Sequence, residues 1–239
     1  VIAGNEGGKI LGSDPDLLDA WFGLGLRHVQ FNWAMPNNLG ASQDQENEPA
    51  QPGLTDFGRT TIENMNEKGM IVDVSHSAPQ TILDALEATS KPILNSHSGG
   101  RSIADKPQNL FDDQIKAMAE NGGVIGVHFC SRLVLGVNGV QAEIGDVVKQ
   151  IRYVADVGGI DVVGLGPDWL LGDPLRDVPY LRNTGQEDLT WAKGLEDSSE
   201  LTNLWDPLVG AGFTAAEIEK IAGGNLLRLF KDVLPGGND

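Results

Sequence analysis

Two short apolar segments that each end in a Ser-His pair constrain the fold of this chain more than any other feature. Residues 70–74 read Met-Ile-Val-Asp-Val before Ser75-His76, and residues 92–95 read Pro-Ile-Leu-Asn before Ser96-His97. Between them, residues 78–88 carry apolar side chains at helical spacing. This pattern predicts a strand, a helix and a second, parallel strand. Because such crossovers are right-handed, both histidines are expected at the same carboxyl-terminal edge of one sheet.

Two histidines at equivalent strand ends can converge on one metal ion, whereas a single one is usually structural. Glu6 follows a strand-like beginning of the chain, and Asp168 follows an apolar segment at residues 161–165. Four polar side chains are thus predicted at one edge, where ligands bind in parallel α/β folds. Imidazole nitrogens and carboxylate oxygens suit zinc or another divalent metal. The alternative is that Glu6 is an exposed turn residue and Asp168 a helix cap.

The whole chain, residues 1–239, is expected to be one α/β domain with six strands and helices between most of them. Six parallel strands fit an open doubly wound sheet or most of an eight-stranded (β/α)8 TIM-type barrel. The sequence has no phosphate-binding Gly-x-Gly-x-x-Gly turn, and its polar residues follow several strands, which favours the barrel. The predicted strands lie near residues 1–3, 26–33, 70–74, 92–95, 124–129 and 161–165. The predicted helices lie near residues 14–24, 55–68, 78–88, 112–121, 145–157, 201–210, 214–222 and 225–233.

Two polar segments, residues 34–53 and 172–199, are too long for simple connections and are typical of loops that cover a site. His28, near the beginning of its strand, is expected to be structural. Alternation along the strand leaves open whether His128 faces the barrel interior or the outside.

Composition excludes several classes of function. The chain has 34 acidic and 17 basic residues, and a net charge of -17 disfavours nucleic acid as a partner. No apolar run reaches the ~20 residues of a membrane span, so we expect a soluble protein, either cytoplasmic or periplasmic/secreted. Cys130 is the single cysteine, so a metal site would need histidine and carboxylate ligands.

Several motifs, spread in order over nearly the whole chain, resemble the membrane (renal) dipeptidase family. They are Glu6-Gly7-Gly8, Gly53-Leu54-Thr55-Asp56-Phe57-Gly58-Arg59, Gly69-Met70-Ile71-Val72-Asp73-Val74-Ser75-His76, Ser96-His97-Ser98, Asn121-Gly122-Gly123-Val124-Ile125-Gly126-Val127 and Gly223-Gly224-Asn225.

The resemblance implies a metal-dependent (β/α)8 barrel of the amidohydrolase type that hydrolyses dipeptides with two zinc ions. By the same resemblance, Glu6 is the bridging carboxylate and His76 and His97 are ligands of one zinc ion. Asp168 is the residue that transfers the catalytic proton.

The sequence departs from the family in three ways. The family's first strand carries a His-x-Asp motif for the other zinc ion, and no histidine here is followed two residues later by Asp. We therefore expect the chain to lack about two amino-terminal strands and to be a poor enzyme by itself. The family's substrate-binding Arg corresponds to Gln108, just before Asn109, and a substrate-facing His of the mammalian enzymes lies near Trp33. Trp33, Gln108 and Asn109 are thus candidate substrate-binding residues.

Three functions remain open from the sequence. The first is a zinc-dependent dipeptidase acting on a dipeptide or a similar small substrate. Its oligomeric state is also open, and a homodimer is possible. The second is a non-catalytic homologue or fragment that keeps the fold. The third is a related amidohydrolase acting on N-acyl amino acids or lactams, because Gln108 and Trp33 change the substrate side of the site.

Overall fold

A computed structural model describes residues 2–33, 35–48, 52–170 and 189–236, and within them six strands form one parallel sheet. The spatial order of the strands follows the chain, and each strand pairs in parallel with the next. The strands are β1 (Ala3–Asn5), β2 (Leu26–Gln30), β3 (Ile71–Asp73), β4 (Leu94–Ser98), β5 (Val124–Val127) and β6 (Val163–Leu165). The predicted parallel α/β sheet is thereby confirmed.

Helices connect the strands and follow the last one. The α-helices are α1 (Asp16–Gly23), α2 (Asp56–Lys68), α3 (Pro79–Ala88), α4 (Asp112–Glu120), α5 (Ser131–Leu135), α6 (Ile144–Gly158), α7 (Trp205–Gly210), α8 (Ala215–Glu219) and α9 (Asn225–Val233). Short 3-10 helices span Gly8–Leu11, Gln43–Gln45, Ile160–Val162 and Ser198–Leu204, and a π-helix spans Lys220–Gly224. The helix predicted at residues 201–210 is α-helical only from Trp205, and the one at residues 214–222 only to Glu219. Helix α5 was not predicted.

Local sequence signals fix the helix that leads into β3. The Thr55 hydroxyl accepts a hydrogen bond from the Gly58 amide at 2.9 Å and caps the amino terminus of α2. Gly69 ends α2 with φ 68°, a left-handed conformation that glycine adopts without steric cost. Strand β3 begins two residues later, so the end of α2 at Gly69 determines where the buried residues of β3 start.

The two faces of the sheet have different surroundings because successive strand residues point to opposite sides. Val72 packs in a large apolar cluster with side chains of the surrounding helices, such as Ile62 of α2 and Ile115 of α4. Ile71 instead joins a second apolar cluster that also contains Leu94, Val124, Leu229 and Val233. The carboxyl-terminal helix α9 thus packs against residues near the amino-terminal ends of β3, β4 and β5, at the end of the sheet opposite to the predicted site.

Three strand boundaries differ from the prediction in ways that matter for the site. Strand β1 reaches Asn5, so Glu6 follows it directly. Strand β4 runs to Ser98, with a register irregularity between Asn95 and Ser98, so His97 lies inside the strand. Strand β5 ends at Val127, which places His128 directly after a strand end.

Parts of the two predicted loops lie outside the described residues: residue 34 and residues 49–51 of the first, and residues 171–188 of the second. Among the described residues, no helix is both long and apolar enough to cross a membrane.

Candidate metal centre and active-site cavity

Glu6, His76 and His97 come together at the carboxyl-terminal edge of the sheet. The Nε2 atoms of His76 and His97 are 2.9 Å apart. Glu6 Oε1 lies 3.4 Å from Nε2 of His76 and 3.6 Å from Nε2 of His97. These three atoms form a compact group of ligand atoms that can surround one ion.

The spacing of this group suits a tetrahedral metal ion. Ligand atoms about 2.0 to 2.1 Å from one zinc ion, in tetrahedral directions, lie about 3.3 Å from one another. The three separations in the structure, 2.9, 3.4 and 3.6 Å, bracket that value. The donor set of two imidazoles and one carboxylate is also one that zinc accepts. The residues present therefore fit a bound metal ion.

Hydrogen bonds at the Nδ1 atoms orient the rings of His76 and His97. His76 Nδ1 is 3.2 Å from Oε1 of Gln43, and His97 Nδ1 is 2.8 Å from Oγ of Ser96. An amide oxygen only accepts, so the proton on the His76 ring belongs on Nδ1 in this contact. Nε2 of His76 is then unprotonated, which is the form that binds a metal.

The segment that carries Gln43 is fastened to the turn that carries His76. The Gln43 amide donates to the His76 carbonyl at 2.8 Å, and Ser42 forms a β-bridge with Ser77. Three residues further on, Glu46 makes a two-pronged ion pair with Arg101 in the loop after β4. The loop after β2 therefore holds His76, the candidate metal ligand, in position. The ion pair with Arg101 in turn ties this loop to the loop after β4.

Burial keeps His97 neutral. His97 is almost fully buried, and this burial, reinforced by the neighbouring His76 and His128 rings, lowers its pKa to about 4 although Asp168 and Asp73 oppose the shift. At neutral pH the ring is uncharged, and with its one proton on Nδ1, beside Ser96 Oγ, the Nε2 lone pair is available to a metal.

Asp168 lines the same cavity as the candidate metal ligands Glu6 and His76 and is paired with His128. His128 Nε2 is 3.4 Å from Asp168 Oδ2. The backbone amide of Cys130 donates to His128 Nδ1 at 2.8 Å, so the proton of a neutral His128 ring is on Nε2, facing the carboxylate. Burial would raise the pKa of Asp168, but the His128 contact and the nearby His97 and His76 rings outweigh it and lower the pKa to about 2. Asp168 is thus an anion at neutral pH.

A buried carboxylate below the site ties three strands together. Asp73 Oδ2 is 2.8 Å from Nε2 of His28, on β2. Asp73 Oδ1 accepts from the backbone amides of Ser75 at 2.9 Å and Ser96 at 3.1 Å. His28 accordingly has a structural contact and lies in the middle of its strand. The amides of the two Ser-His pairs are held by one carboxylate.

The metal-ligand group opens into a cavity of about 480 Å³, lined in part by Glu6, His76, Trp33, Gln108 and Asp168. Trp33 and Gln108, two of the candidate substrate-binding residues, thus face the same space as the candidate catalytic groups. The size is within the range of cavities that take small molecules.

Asn109, the third candidate substrate-binding residue, is not among the described residues that line this cavity. Its side-chain amide donates to the Ala104 carbonyl at 2.8 Å and to the Leu133 carbonyl at 2.9 Å. Gln108 Nε2 donates to the His97 carbonyl at 3.2 Å. Asn109 therefore supports the loop, while Gln108 lies between that loop and the cavity.

Sequence reasoning left the role of one site residue open and missed another. His128 follows β5 directly, at the strand ends where the other site residues also lie. The predicted strand ran to residue 129, so the sequence placed His128 inside the strand and not at its end. Gln43 lies in a polar loop, and nothing local in the sequence indicates that it contacts His76, 33 positions away.

Parallel strands, connecting helices and a group of candidate metal ligands at the carboxyl-terminal edge are the arrangement expected of a (β/α)8 TIM-type barrel. An amidohydrolase from Pseudomonas aeruginosa has a similar structure, with a TM-score of 0.86, 24% identity and coverage of 96% of this chain and 71% of that one. A metallopeptidase from Rhodobacter sphaeroides, solved with a phosphinate mimic of the dipeptide L-Ala-D-Ala, has a TM-score of 0.81 and 22% identity over 97% of this chain and 63% of that one. At such identities the similarity concerns the fold.

Within that class, the chain belongs to the membrane dipeptidase family, peptidase family M19, whose model matches residues 1–235. The resemblance found in the motifs is thereby confirmed. An uncharacterized dipeptidase of Schizosaccharomyces pombe is 32% identical over 229 residues, which cover 95% of this chain and 52% of that protein. The dipeptidase aclJ of Aspergillus oryzae is 29% identical over 232 residues, 97% of this chain and 51% of that protein. The chain spans about half the length of these curated relatives.

Proposed function

We propose that the full-length protein is a zinc-dependent dipeptidase and that Glu6, His76 and His97 bind zinc in it. The observation that carries the proposal is the convergence of these three ligand atoms within 3.6 Å of one another. The charged form of Asp168 lies in the same cavity. Following the family resemblance, we assign two zinc ions to the full-length site, with Glu6 as the ligand that both share.

A zinc ion bound there would polarise the peptide carbonyl and make a water molecule easier to deprotonate. Asp168 accepts the proton of the attacking water as the carbon–oxygen bond forms. It then donates this proton to the amide nitrogen as the carbon–nitrogen bond breaks, which releases an amine and a carboxylate. His128 holds Asp168 in place for both transfers, and Gln43 and Ser96 hold the rings of the zinc ligands.

The test is zinc content and dipeptide hydrolysis by the purified full-length protein. We expect hydrolysis of a dipeptide panel, loss of activity on chelation and recovery on addition of zinc. Asp168→Asn should retain zinc while kcat falls by about 10² to 10⁴, the usual contribution of general acid–base catalysis. Absence of zinc from protein prepared with ample zinc would support the non-catalytic reading, and an unchanged kcat would remove Asp168 from the mechanism.

A second candidate function is hydrolysis of N-acyl amino acids or lactams, because Trp33, which cannot carry a charge or transfer a proton, lines the cavity together with the uncharged Gln108. The Gln108 amide is already bonded to the His97 carbonyl. Comparing kcat/KM for a dipeptide, its N-acetyl amino acid analogue and a lactam separates the two functions, because a dipeptidase prefers the substrate with a free amino group.

A further inference from the structure

Glu46 and Arg101 form an ion pair that is shielded from solvent, although both residues lie in loops. Only 8% of the Glu46 side chain and 14% of the Arg101 side chain are exposed. Both terminal nitrogens of the guanidinium donate to the carboxylate, and Nη2 lies 2.9 Å from Oε1. Exposed ion pairs contribute little to a structure, whereas removal of one partner of a buried pair leaves an uncompensated charge. We therefore expect this pair to hold the two loops firmly.

Arg101 is itself fixed in the loop after β4. Its Nε donates to Asp105 Oδ1 at 2.8 Å, and its backbone amide donates to the Leu110 carbonyl at 2.8 Å. Its guanidinium carbon lies 4.5 Å from the centroid of the Phe111 ring. Strand β4, which contains His97, ends three residues before Arg101. The position of the guanidinium is thus tied to the position of β4.

Glu46 directly follows the segment that orients His76. The 3-10 helix Gln43–Gln45 ends at the residue before Glu46. Gln43 contacts His76 twice, because its backbone amide donates to the His76 carbonyl and its side-chain oxygen lies 3.2 Å from Nδ1 of the ring. A displacement of Glu46 would therefore reach the ring of His76 through a single short helix.

The backbone pairing between β3 and β4, the strands that lead to the two histidines of the metal-ligand group, is short. Its register pairs Asp73 with Leu94, before either histidine. Side-chain contacts therefore contribute to fixing the distance between the strand ends that carry the ligands. The Glu46–Arg101 pair is such a contact, since it joins the loop that orients one histidine to the loop that follows the strand of the other.

We infer that Glu46 and Arg101 are positioning residues of the metal centre. Their ion pair holds the His76 side of the site in place relative to the His97 side. It thereby raises the affinity for a metal ion, because a preorganised site has less ordering to complete when the ion binds. The inference rests on the proposed zinc binding by these histidines, and it assigns a measurable effect on that binding to two residues of the surrounding loops.

The experiment measures the zinc affinity of the full-length protein by competition with a chelator. Arg101→Gln should lower the affinity by about 10-fold, the lower end of the loss that follows removal of a direct partner of a metal ligand. Adding Glu46→Gln to Arg101→Gln should restore part of the affinity, because it removes the carboxylate that was left without its cation. Asp105→Asn is the matched control. It removes the other carboxylate on the same guanidinium, which is 83% exposed and belongs to the loop of Arg101, so the affinity should match the wild type.

A second readout needs no metal. The Gln43 amide, which donates to the His76 carbonyl at 2.8 Å, should exchange its hydrogen faster in Arg101→Gln than in the wild type or in Asp105→Asn. Hydrogen exchange of the metal-free protein measures this local opening, and urea unfolding of the same samples shows whether the whole fold is weakened.

An unchanged zinc affinity in Arg101→Gln would overturn the inference and leave the dipeptidase proposal standing. An equal loss of affinity in Asp105→Asn would also overturn it, because the effect would then come from the loop of Arg101 alone. If the wild type binds no zinc but Gln43 exchanges faster in Arg101→Gln alone, the dipeptidase proposal fails and the pair still positions His76. If Arg101→Gln does not fold, Arg101→Lys, which keeps the charge but not the two-pronged contact, should show a smaller loss of affinity in the same direction.

Discussion

His76 and Asp168 share an uncommon backbone conformation. Their φ angles are 61° and 54°, and among the described residues they are the non-glycine positions with positive φ. Residues other than glycine adopt this region at a cost, and such residues concentrate at functional sites. Both follow strand ends and both face the candidate site. This backbone turns the side chains toward the cavity, and the contacts with Gln43 and His128 hold them there.

At the scale of single residues, His128 is expected to act through Asp168. Replacing His128 with Phe removes the donor that faces the carboxylate, and kcat should fall by about 10- to 100-fold, as for loss of a hydrogen bond to a charged group. KM and zinc content should change little, because His128 is outside the ligand group. The measurement is steady-state kinetics with metal analysis of the full-length variant.

His128→Gln is the matched variant, since its amide can again donate to Asp168. We expect it to recover part of kcat. If the Phe and Gln variants lose kcat equally, or if KM rises in place of a fall in kcat, Asp168 does not depend on His128 for its position.

At the scale of elements, the segment after β2 and the turn after β3 act as one unit. Gln43 contacts the His76 ring and its backbone carbonyl, and Glu46 anchors the segment to Arg101. Gln43→Leu removes the acceptor for His76 Nδ1 but keeps a side chain of similar size. Zinc affinity should fall by about 10- to 100-fold, as is usual when the partner of a metal-binding histidine is lost. Competition with a fluorescent chelator measures this change.

Gln80→Leu makes the same substitution at an exposed amide on α3 and is the control for a general effect on stability. Its zinc affinity should match the wild type. An unchanged affinity in Gln43→Leu would show that His76 is oriented without Gln43.

The contact between β2 and β3 predicts a pH dependence of stability. Burial would raise the pKa of Asp73, but the hydrogen bonds from His28 and Ser96 and the electrostatic attraction of the His28 and His97 rings outweigh it and lower the pKa to about 2. Because the folded pKa lies below the ordinary value of 3.8, the ionised group stabilises the fold above pH 3.8. That stabilisation, about 2 kcal/mol, is lost as the pH falls toward 2.

Urea unfolding of metal-free wild type and Asp73→Asn, at pH values from 7 down to 3, isolates this contribution from that of the other carboxyl groups. The difference in free energy of unfolding should be largest near neutral pH and should shrink below pH 4. A difference independent of pH would mean that the Asp73 carboxylate is not preferentially stabilised in its charged form.

Strand-end reasoning could place Glu6, His76, His97 and Asp168 together because the connectivity of parallel strands fixes which ends share an edge. It could not identify Gln43, since the position of this residue depends on the conformation of the loop after β2. Family motifs also mark structure as well as chemistry. Asn225 of the Gly-Gly-Asn motif donates to the carbonyls of Ile160 and Val163, both at 2.8 Å, and so holds the start of β6.

At the scale of the whole molecule, the predicted number and direction of the strands are confirmed for the described residues, and each strand neighbours the next in the chain. Local patterns of apolar residues are enough to predict the number and direction of the strands, whereas they left the order of the strands open between a doubly wound sheet and a barrel. Strands β1 and β6 are the two edges of the sheet. The register irregularity in β4, which carries His97, could not be predicted, because it arises from pairing with β5.

The candidate ligand atoms of the described residues predict how many zinc ions this chain binds. Glu6, His76 and His97 form one close group of ligand atoms within the described part of the chain. We expect residues 1–239, produced as a separate chain, to bind one zinc ion tightly, because two imidazoles and a carboxylate occupy three positions of a tetrahedral site. For a second ion, this group of ligands would offer only a carboxylate oxygen of Glu6, which the first ion would also use. Metal analysis after equilibration in a zinc buffer, with circular dichroism to verify folding, gives the ratio. Replacing both His76 and His97 with Ala should reduce the ratio to near zero, whereas Asp168→Asn should leave it at one. Two tightly bound ions on the separate chain would show that it supplies ligands beyond these three.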